Sequence, residues 1–217
     1  MKRVVIYFAI FWGFSAQTFA QSAFGGTFSF DYNIFQTIKS TNLDTLKSAA
    51  QAFSPLKSGG LSIGVPVNIK ITSWFLLRPQ AVFNIALGEL KTQLTSGEIK
   101  NVKISTINVE FPIQLLLSNF KKPMGLAFLT GIRGGYQVKD LQKNSTPSAD
   151  WFKLNKTYAN ADFGLGFRFG KKKTIFIPEI RYSMGISNLV GNNAENILNT
   201  AISDLRRNRF SFVLNIL

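Results

Sequence analysis

The sequence predicts an all-β fold, an eight-stranded antiparallel β-barrel whose strands cross a membrane. Three observations support this prediction. Apolar residues alternate with small or polar ones in about eight segments, and the connections between segments alternate in length. The charged residues of the segments lie mainly at the positions of the polar residues. Because side chains alternate across a strand, each segment has one apolar and one polar face. We assign these segments to one barrel domain, residues 21–217.

The clearest segment runs from Leu61 to Ile71. Its odd-numbered residues are all aliphatic, and its even-numbered residues are small or polar. Pro66 lies within the run and, because proline has no backbone N–H, it predicts an edge strand. A second alternating segment, residues 76–87, follows after Thr72 and Ser73, and so short a turn predicts a hairpin.

Six further segments alternate in the same way. They are predicted as strands at residues 24–32, 104–117, 125–138, 161–169, 176–186 and 209–217.

The connections between these segments are alternately long and short. Long connections are expected at 33–58, 88–103, 139–157 and 187–206, and short ones at 72–73, 118–123 and 170–173. Long loops at one end, tight turns at the other and an even strand count are typical of outer-membrane barrels with both termini in the periplasm. Two long connections, at 42–53 and 194–205, have apolar residues at helical spacing and predict short helices.

Alternation alone does not decide whether the apolar face points inward, as in a soluble barrel, or outward to lipid. The polar face carries charges of both signs and many glycines, which favours a narrow interior where opposite charges pair. The apolar face is nearly free of charge, and a Lys or Arg facing lipid would cost about 2–4 kcal/mol near the midplane. We therefore expect outer-membrane lipids around the barrel. The predicted lumen charge network consists of Arg78, Glu110, Arg133, Asp162, Arg168, Glu179 and Arg181.

Four aromatic residues lie near predicted strand ends. Trp74 and Phe75 follow a short turn, and Tyr136 and Tyr158 are close to a long loop. Either they mark the two membrane interfaces, where amphipathic rings are enriched, or they serve ordinary packing.

The first residues predict a cleaved secretory signal peptide, residues 1–20. Met1–Arg3 is basic, residues 4–14 are apolar, and Thr18–Ala20 offers small residues at the two positions that a signal peptidase reads. The apolar run is short for a transmembrane helix, so an uncleaved anchor is the alternative. Removal of Lys2 and Arg3 lowers the formal charge from +14 to +12. Acidic partners or anionic lipids therefore suit this exported protein better than nucleic acid.

The residue types restrict the possible chemistry. The chain has no Cys, which excludes a disulfide scaffold and a lipoprotein. It has no His, which excludes Ser–His nucleophilic catalysis. Without either residue type, a soft-metal site is not expected. Glu110, Asp162 and Glu179 are better explained as counter-ions of the lumen arginines than as a glycosidase pair. We expect no catalytic residues, cofactor, metal or small-molecule substrate. An interior this crowded should pass nothing larger than water or small ions.

Two lysine runs lie in predicted periplasmic turns. They comprise Lys121, Lys122, Lys171, Lys172 and Lys173. Such runs are usually solvated ends that touch lipid phosphates, and the alternative is a basic rim on which an acidic periplasmic partner docks.

Several segments resemble the outer-membrane β-barrel family common in Bacteroidota. They are LRPQAVFN (77–84), INVEFPIQLLL (107–117), GLAFLTGIRGGY (125–136) and PEIRYSMGISNL (178–189). With its ending, ISDLRRNRFSFVL (202–214), the chain is similar to the PorT family of the type IX secretion system. The resemblance implies an eight-stranded barrel required to secrete proteins that carry a C-terminal sorting domain, and it implies no catalytic residues.

Three functions follow from these observations. The first is an accessory component of a protein-export machine that presents turns, loops and its lipid-facing wall to other subunits. The second is a free-standing small barrel with a structural, adhesive or minor pore role. The third, an outer-membrane enzyme, is disfavoured by the missing His.

Overall fold

The protein is described from a computed structural model. It covers residues 22–39, 52–53, 57–93, 99–120, 122, 124–140, 155–171, 174–190 and 202–217. The predicted signal peptide, residues 1–20, lies outside these ranges, as do residues 42–51 of the first predicted helix. Among the described residues, no helix has both the length and the apolar character needed to cross a membrane.

Eight strands form the barrel. The first, β1, comprises Ser22–Phe24 and Gly26–Lys39, which pair with the same neighbour in one register on either side of Gly25. In β2, Ala52–Phe53 precedes Lys57–Lys70, and both pair with β3. The others are β3 (Phe75–Gln93), β4 (Ile99–Ser118), β5 (Gly125–Asp140), β6 (Thr157–Lys171), β7 (Thr174–Gly185) and β8 (Ile202–Ile216).

Each strand pairs antiparallel with the next, and β8 pairs with β1 to close the cylinder. The closing ladder runs from Ile202 opposite Lys39 to Ile216 opposite Gly26. The predicted eight-stranded antiparallel barrel is confirmed. A closed sheet has no free edge, so every strand has a neighbour on both sides.

The expectation that Pro66 marks an edge strand is wrong. Pro66 lies in β2 between β1 and β3, where its carbonyl accepts a hydrogen bond from the Gly25 N–H at 3.1 Å. The β2–β3 pairing omits the two positions after Pro66, where Pro79 stands in β3. Proline is tolerated here because the ladders are interrupted locally at Gly25 and Pro79.

The apolar residues point outward, as the charge pattern predicts. Phe24, Phe28, Phe30, Leu61 and Ile63 are exposed, and the polar residues between them are buried. The lumen therefore holds most of the polar side chains of the strands, and the barrel wall presents a hydrocarbon surface. This inverts the arrangement of a soluble barrel.

Several strands extend further towards the long-loop end than predicted. β1 continues to Lys39, and β3 and β4 pair as far as Gln93 and Ile99, so most of the expected loop 88–103 is a hairpin. The predicted helix 194–205 is wrong at its last four residues, which form the start of β8, and its other residues lie outside the described ranges. Paired backbone continues here although the alternation in the sequence fades, because neighbouring strands satisfy the hydrogen bonds.

Candidate functional site

The polar network of the lumen centres on Glu110 of β4. Arg209 of β8 donates from Nη1 to Oε2 at 2.8 Å and from Nη2 to Oε1 at 2.5 Å. Arg133 of β5 donates from Nη1 to Oε2 at 2.7 Å, and the Tyr158 hydroxyl donates to Oε1. Arg207 lies further away, with its Nη2 3.4 Å from Oε1. One carboxylate therefore links four strands across the lumen, and Glu110 itself is fully buried.

A second group forms around Glu179 of β7. Arg78 of β3 makes a two-pronged contact, with Nη1 at 2.7 Å from Oε1 and Nη2 at 2.9 Å from Oε2. Arg181 donates from Nε to Oε2 at 2.7 Å. Both arginines are at most 3% exposed, so these are desolvated, charge-assisted bonds.

Asp162 and Gln114 connect the two groups. Asp162 accepts from Arg133 Nε at 3.0 Å and Nη2 at 2.8 Å. Gln114 donates to Asp162 at 3.1 Å and accepts from Arg78 Nε at 3.2 Å. Six of the seven residues predicted for the network thus lie in one continuous chain of ion pairs and hydrogen bonds.

Sequence reasoning missed several members of this network. Asp31 accepts from Asn84 Nδ2 at 2.9 Å and from the Ser62 hydroxyl, and it lies 3.9 Å from Arg209 Nη1. Arg207, Arg209 and Tyr158 were not among the predicted lumen residues. Tyr158 is 7% exposed and lies inside the barrel, which favours ordinary packing, the second of its two predicted roles, whereas Trp74, Phe75 and Tyr136 do face outward. The alternation along each strand could have identified them. Tyr158 has the same even numbering as the lumen residue Asp162, and Arg207 and Arg209 have the same odd numbering as Ser211.

Arg168 is buried but lies apart from the acidic residues, which corrects its assignment to the charge network. Its Nη2 donates to the backbone carbonyl of Asn119 at 2.8 Å and to that of Lys122, and its guanidinium carbon lies 5.4 Å from the centre of the Phe120 ring. Arg168 therefore ties the 119–124 turn to the end of the barrel. Arginine has no acceptor, so backbone carbonyls are suitable partners.

The same end of the lumen is filled by apolar side chains. Leu76, Leu116 and Leu129 form a buried cluster, and Phe120 of the turn packs against it. This cluster, which we call the leucine seal, lies at the short-turn end of the lumen, beyond the ion pairs. An eight-stranded barrel has an interior just wide enough for side chains to fill, and both the charged and the apolar layers fill it here.

Of the five lysines predicted to form a docking rim, only Lys122 has a described side chain, and it is exposed. Lys171 ends β6, with its backbone opposite Thr174. Lys121, Lys172 and Lys173 lie outside the described residues.

The buried carboxylates are poorly placed for chemistry. Glu110, Asp162 and Glu179 all accept hydrogen bonds from guanidinium groups, so each is held as a counter-ion rather than presented to a substrate. In the described part of the chain, no three side chains of the types His, Cys, Asp and Glu come together as a metal site. The arrangement rigidifies the barrel and fills it.

A closed barrel with a hydrocarbon wall and a charge-paired interior defines a β-barrel membrane protein. The family model described as the outer membrane protein beta-barrel domain matches residues 11–191, so the chain belongs to that family. It is accordingly an outer-membrane β-barrel protein. Among proteins of curated function, none matches the chain in sequence.

Several solved structures are similar in fold at very low sequence identity. OprG from Pseudomonas aeruginosa is 9% identical with a TM-score of 0.47, over 88% of this chain and 94% of that one. The translocator domain of the autotransporter NalP from Neisseria meningitidis is 8% identical with a TM-score of 0.41, over 99% and 96%. Ail of Yersinia pestis, solved with the heparin analogue sucrose octasulfate, is 8% identical with a TM-score of 0.36, over 89% and 97%.

Proposed function

We propose that the protein is a non-enzymatic accessory component of an outer-membrane protein-export machine, of the PorT kind in type IX secretion. The observation that carries the proposal is the filled lumen. Arg78, Glu110 and Arg209 are each fully buried in its centre, and the leucine seal lies below them. Because ion pairs occupy the interior of the barrel, the surfaces left for contact with other subunits are its outer wall, turns and loops. The resemblance of the ending, residues 202–214 after residues 178–189, to the PorT family supplies the particular machine.

The proposed topology places the termini and short turns in the periplasm of a Gram-negative bacterium, as is usual for such barrels. In this orientation the five rim lysines face the periplasm, where an acidic surface of another subunit would meet them. Arg168 supports this arrangement, because it donates to the backbone carbonyls of Asn119 and Lys122 and so holds Lys122 at the end of the barrel. A preorganised charged turn loses less entropy on docking than a mobile one.

Affinity purification from membranes tests this proposal. We expect tagged wild-type protein to recover other secretion subunits, and a deletion strain to stop secreting cargo that carries the C-terminal sorting domain. Replacing Lys121, Lys122 and Lys171–Lys173 by Glu should abolish recovery of an acidic periplasmic partner, because like charges repel across the interface.

The matched control replaces Lys139 and Lys156, exposed lysines at the long-loop end, by Glu. It carries the same kind of charge reversal on the opposite side of the membrane and should leave recovery intact. Unchanged partner recovery in the rim variant would eliminate the docking rim. Normal secretion by the deletion strain would favour the second function, a free-standing structural or adhesive barrel.

A further inference from the structure

The described lumen contains more buried arginines than carboxylates. Arg168 is held by backbone carbonyls at the turn end, so it is left out when the positive and negative charges of the network are compared. The buried arginines of that network are Arg78, Arg133, Arg181, Arg207 and Arg209, and the buried carboxylates are Asp31, Glu110, Asp162 and Glu179. Among the described residues, one guanidinium therefore lacks a carboxylate of its own.

Arg207 is the arginine with the weakest compensation. Its closest described carboxylate contact is 3.4 Å, from Nη2 to Glu110 Oε1. That oxygen already accepts from Arg209 at 2.5 Å and from the Tyr158 hydroxyl. Arg207 is 6% exposed, and its Nε has no hydrogen-bond partner among the described residues. A buried cation in this state favours a further anion beside it.

A cavity of about 20 Å³ lies next to Arg207 at the long-loop end of the lumen. About 10–15 Å³ is enough for one water molecule, so the cavity has room for one water or one monatomic ion somewhat larger than water. The Arg207 guanidinium carbon lies 4.1 Å from the centre of the Tyr158 ring, which fixes the cation against one wall. The polar lining residues are Ser58, Thr106, Asn108, Gln137, Asn155 and Tyr158 besides Arg207, and no Asp or Glu is among the described lining residues.

Two hydroxyl groups in the wall are set as donors. Ser58 Oγ accepts from Asn33 Nδ2 at 3.0 Å, and Thr106 Oγ1 accepts from Asn108 Nδ2 at 3.1 Å. Because each oxygen already accepts a bond, its own proton remains to be donated. One buried guanidinium with an unpartnered Nε and two hydroxyl donors line the cavity, and the Glu110 carboxylate contacts Arg207 from outside this lining, so the cavity suits a negative charge.

We infer that this cavity binds one small monovalent anion of the halide class, held mainly by Arg207. The cavity volume excludes larger oxyanions such as sulfate or phosphate, and the local positive charge excludes cations. One such anion neutralises the guanidinium that is in excess among the described residues of the lumen. The site is independent of the export function, since it lies inside the barrel, away from the wall and the turns.

Bromide tests the inference, because it is a halide that anomalous diffraction can locate. We expect crystals of the folded barrel grown in sodium bromide to show an anomalous peak in the cavity beside Arg207. In detergent, the thermal midpoint should rise with bromide concentration and saturate, whereas sulfate at matched ionic strength should give no saturable rise. Arg207→Gln should weaken bromide binding at least about tenfold, as expected for loss of a charged hydrogen-bond donor.

Arg206→Gln is the matched control, because Arg206 is adjacent in β8 but exposed and paired with Asp204 at 2.8 Å. It should bind bromide like the wild type. If Arg207→Gln fails to fold, Ser58→Ala removes one hydroxyl donor and should still weaken binding a few-fold. A cavity that holds water only, a peak at another place, or equal loss of binding in the Arg206 variant would overturn the inference.

Discussion

Glu110 is the carboxylate on which most of the lumen depends. Replacing it with Gln removes the carboxylate that lies 2.5–2.8 Å from Arg209, whereas Arg133 keeps Asp162 at 2.8 Å. Loss of one partner of a buried ion pair costs about 3–5 kcal/mol. We expect Glu110→Gln to lower the free energy of unfolding by about that amount, as measured by urea titration of the barrel in detergent. A loss below about 1 kcal/mol would contradict the central position given to this residue.

The control for this measurement is the exposed pair Arg206–Asp204. Arg206 is 48% exposed in its side chain and pairs at 2.8 Å. Surface ion pairs contribute about 0–1 kcal/mol, so Arg206→Gln should change stability little. The difference between the two losses of stability shows how much of the effect of Glu110→Gln comes from burial of the ion pairs.

Gly135 is required because Tyr158 crosses the lumen over it. A Cβ at Gly135 would overlap the Tyr158 ring, whereas one at Gly134 would meet nothing within 4 Å. We expect Gly135→Ala to destabilise the barrel by about 1–3 kcal/mol through overpacking and displacement of Tyr158 from Glu110. Gly134→Ala is the neighbouring control and should be close to neutral in the same urea titration. Equal effects would show that Tyr158 moves aside freely.

The alternation of apolar and polar residues predicts the inward and outward faces of some strand segments but not of others. In Leu61–Ile71 and residues 107–115 the two-residue period is unbroken, and the inward and outward faces were predicted correctly. In β8 the run Arg206–Arg209 is polar throughout, so the period disappears although the backbone remains paired from Ile202. Strand ends were therefore underestimated wherever polar residues occupy both faces beyond the apolar wall.

The charge network was only partly predictable for a related reason. Parity places a side chain in the lumen but says nothing about which residues from distant strands meet there. Arg209 and Glu110 are separated by 99 positions, and their contact follows from barrel closure and register. Arg168 is an example. Its position in the alternation correctly places its side chain in the lumen, but it lies near the short-turn end of the barrel and therefore binds turn carbonyls instead of carboxylates.

The outward faces of β6 and β1 test the membrane assignment at two different depths. Leu165, near the middle of the strand, is 56% exposed, and Phe24, near the turn end of β1, is 65% exposed. We expect Leu165→Arg to cost about 2–4 kcal/mol and Phe24→Arg about 0–1 kcal/mol in lipid vesicles, because the penalty depends on depth. Similar costs for both would mean that exposure to solvent rather than depth in lipid governs these positions.

The whole barrel should be a poor conductor. Ion pairs lie in the middle of the lumen, and the buried cluster of Leu76, Leu116 and Leu129 occupies part of the end with the short turns. We expect no resolvable single-channel steps when the purified wild-type barrel is inserted into a planar lipid bilayer. Replacing the three leucines of the seal together by Gly should leave conductance absent, because the ion pairs still fill the lumen. Regular conductance steps in the wild type would restore the minor pore role.

The pairing of β8 with β1 has a consequence for biogenesis. Gly26 and Ile216 are partners, so the cylinder cannot shut until the chain from Gly26 to Ile216 has been synthesised and brought together. Contacts this distant along a chain form slowly, and until they form, β1 presents an open hydrogen-bonding edge to any other strand. We therefore expect the unclosed chain to be prone to pairing with other strands between its synthesis and its insertion.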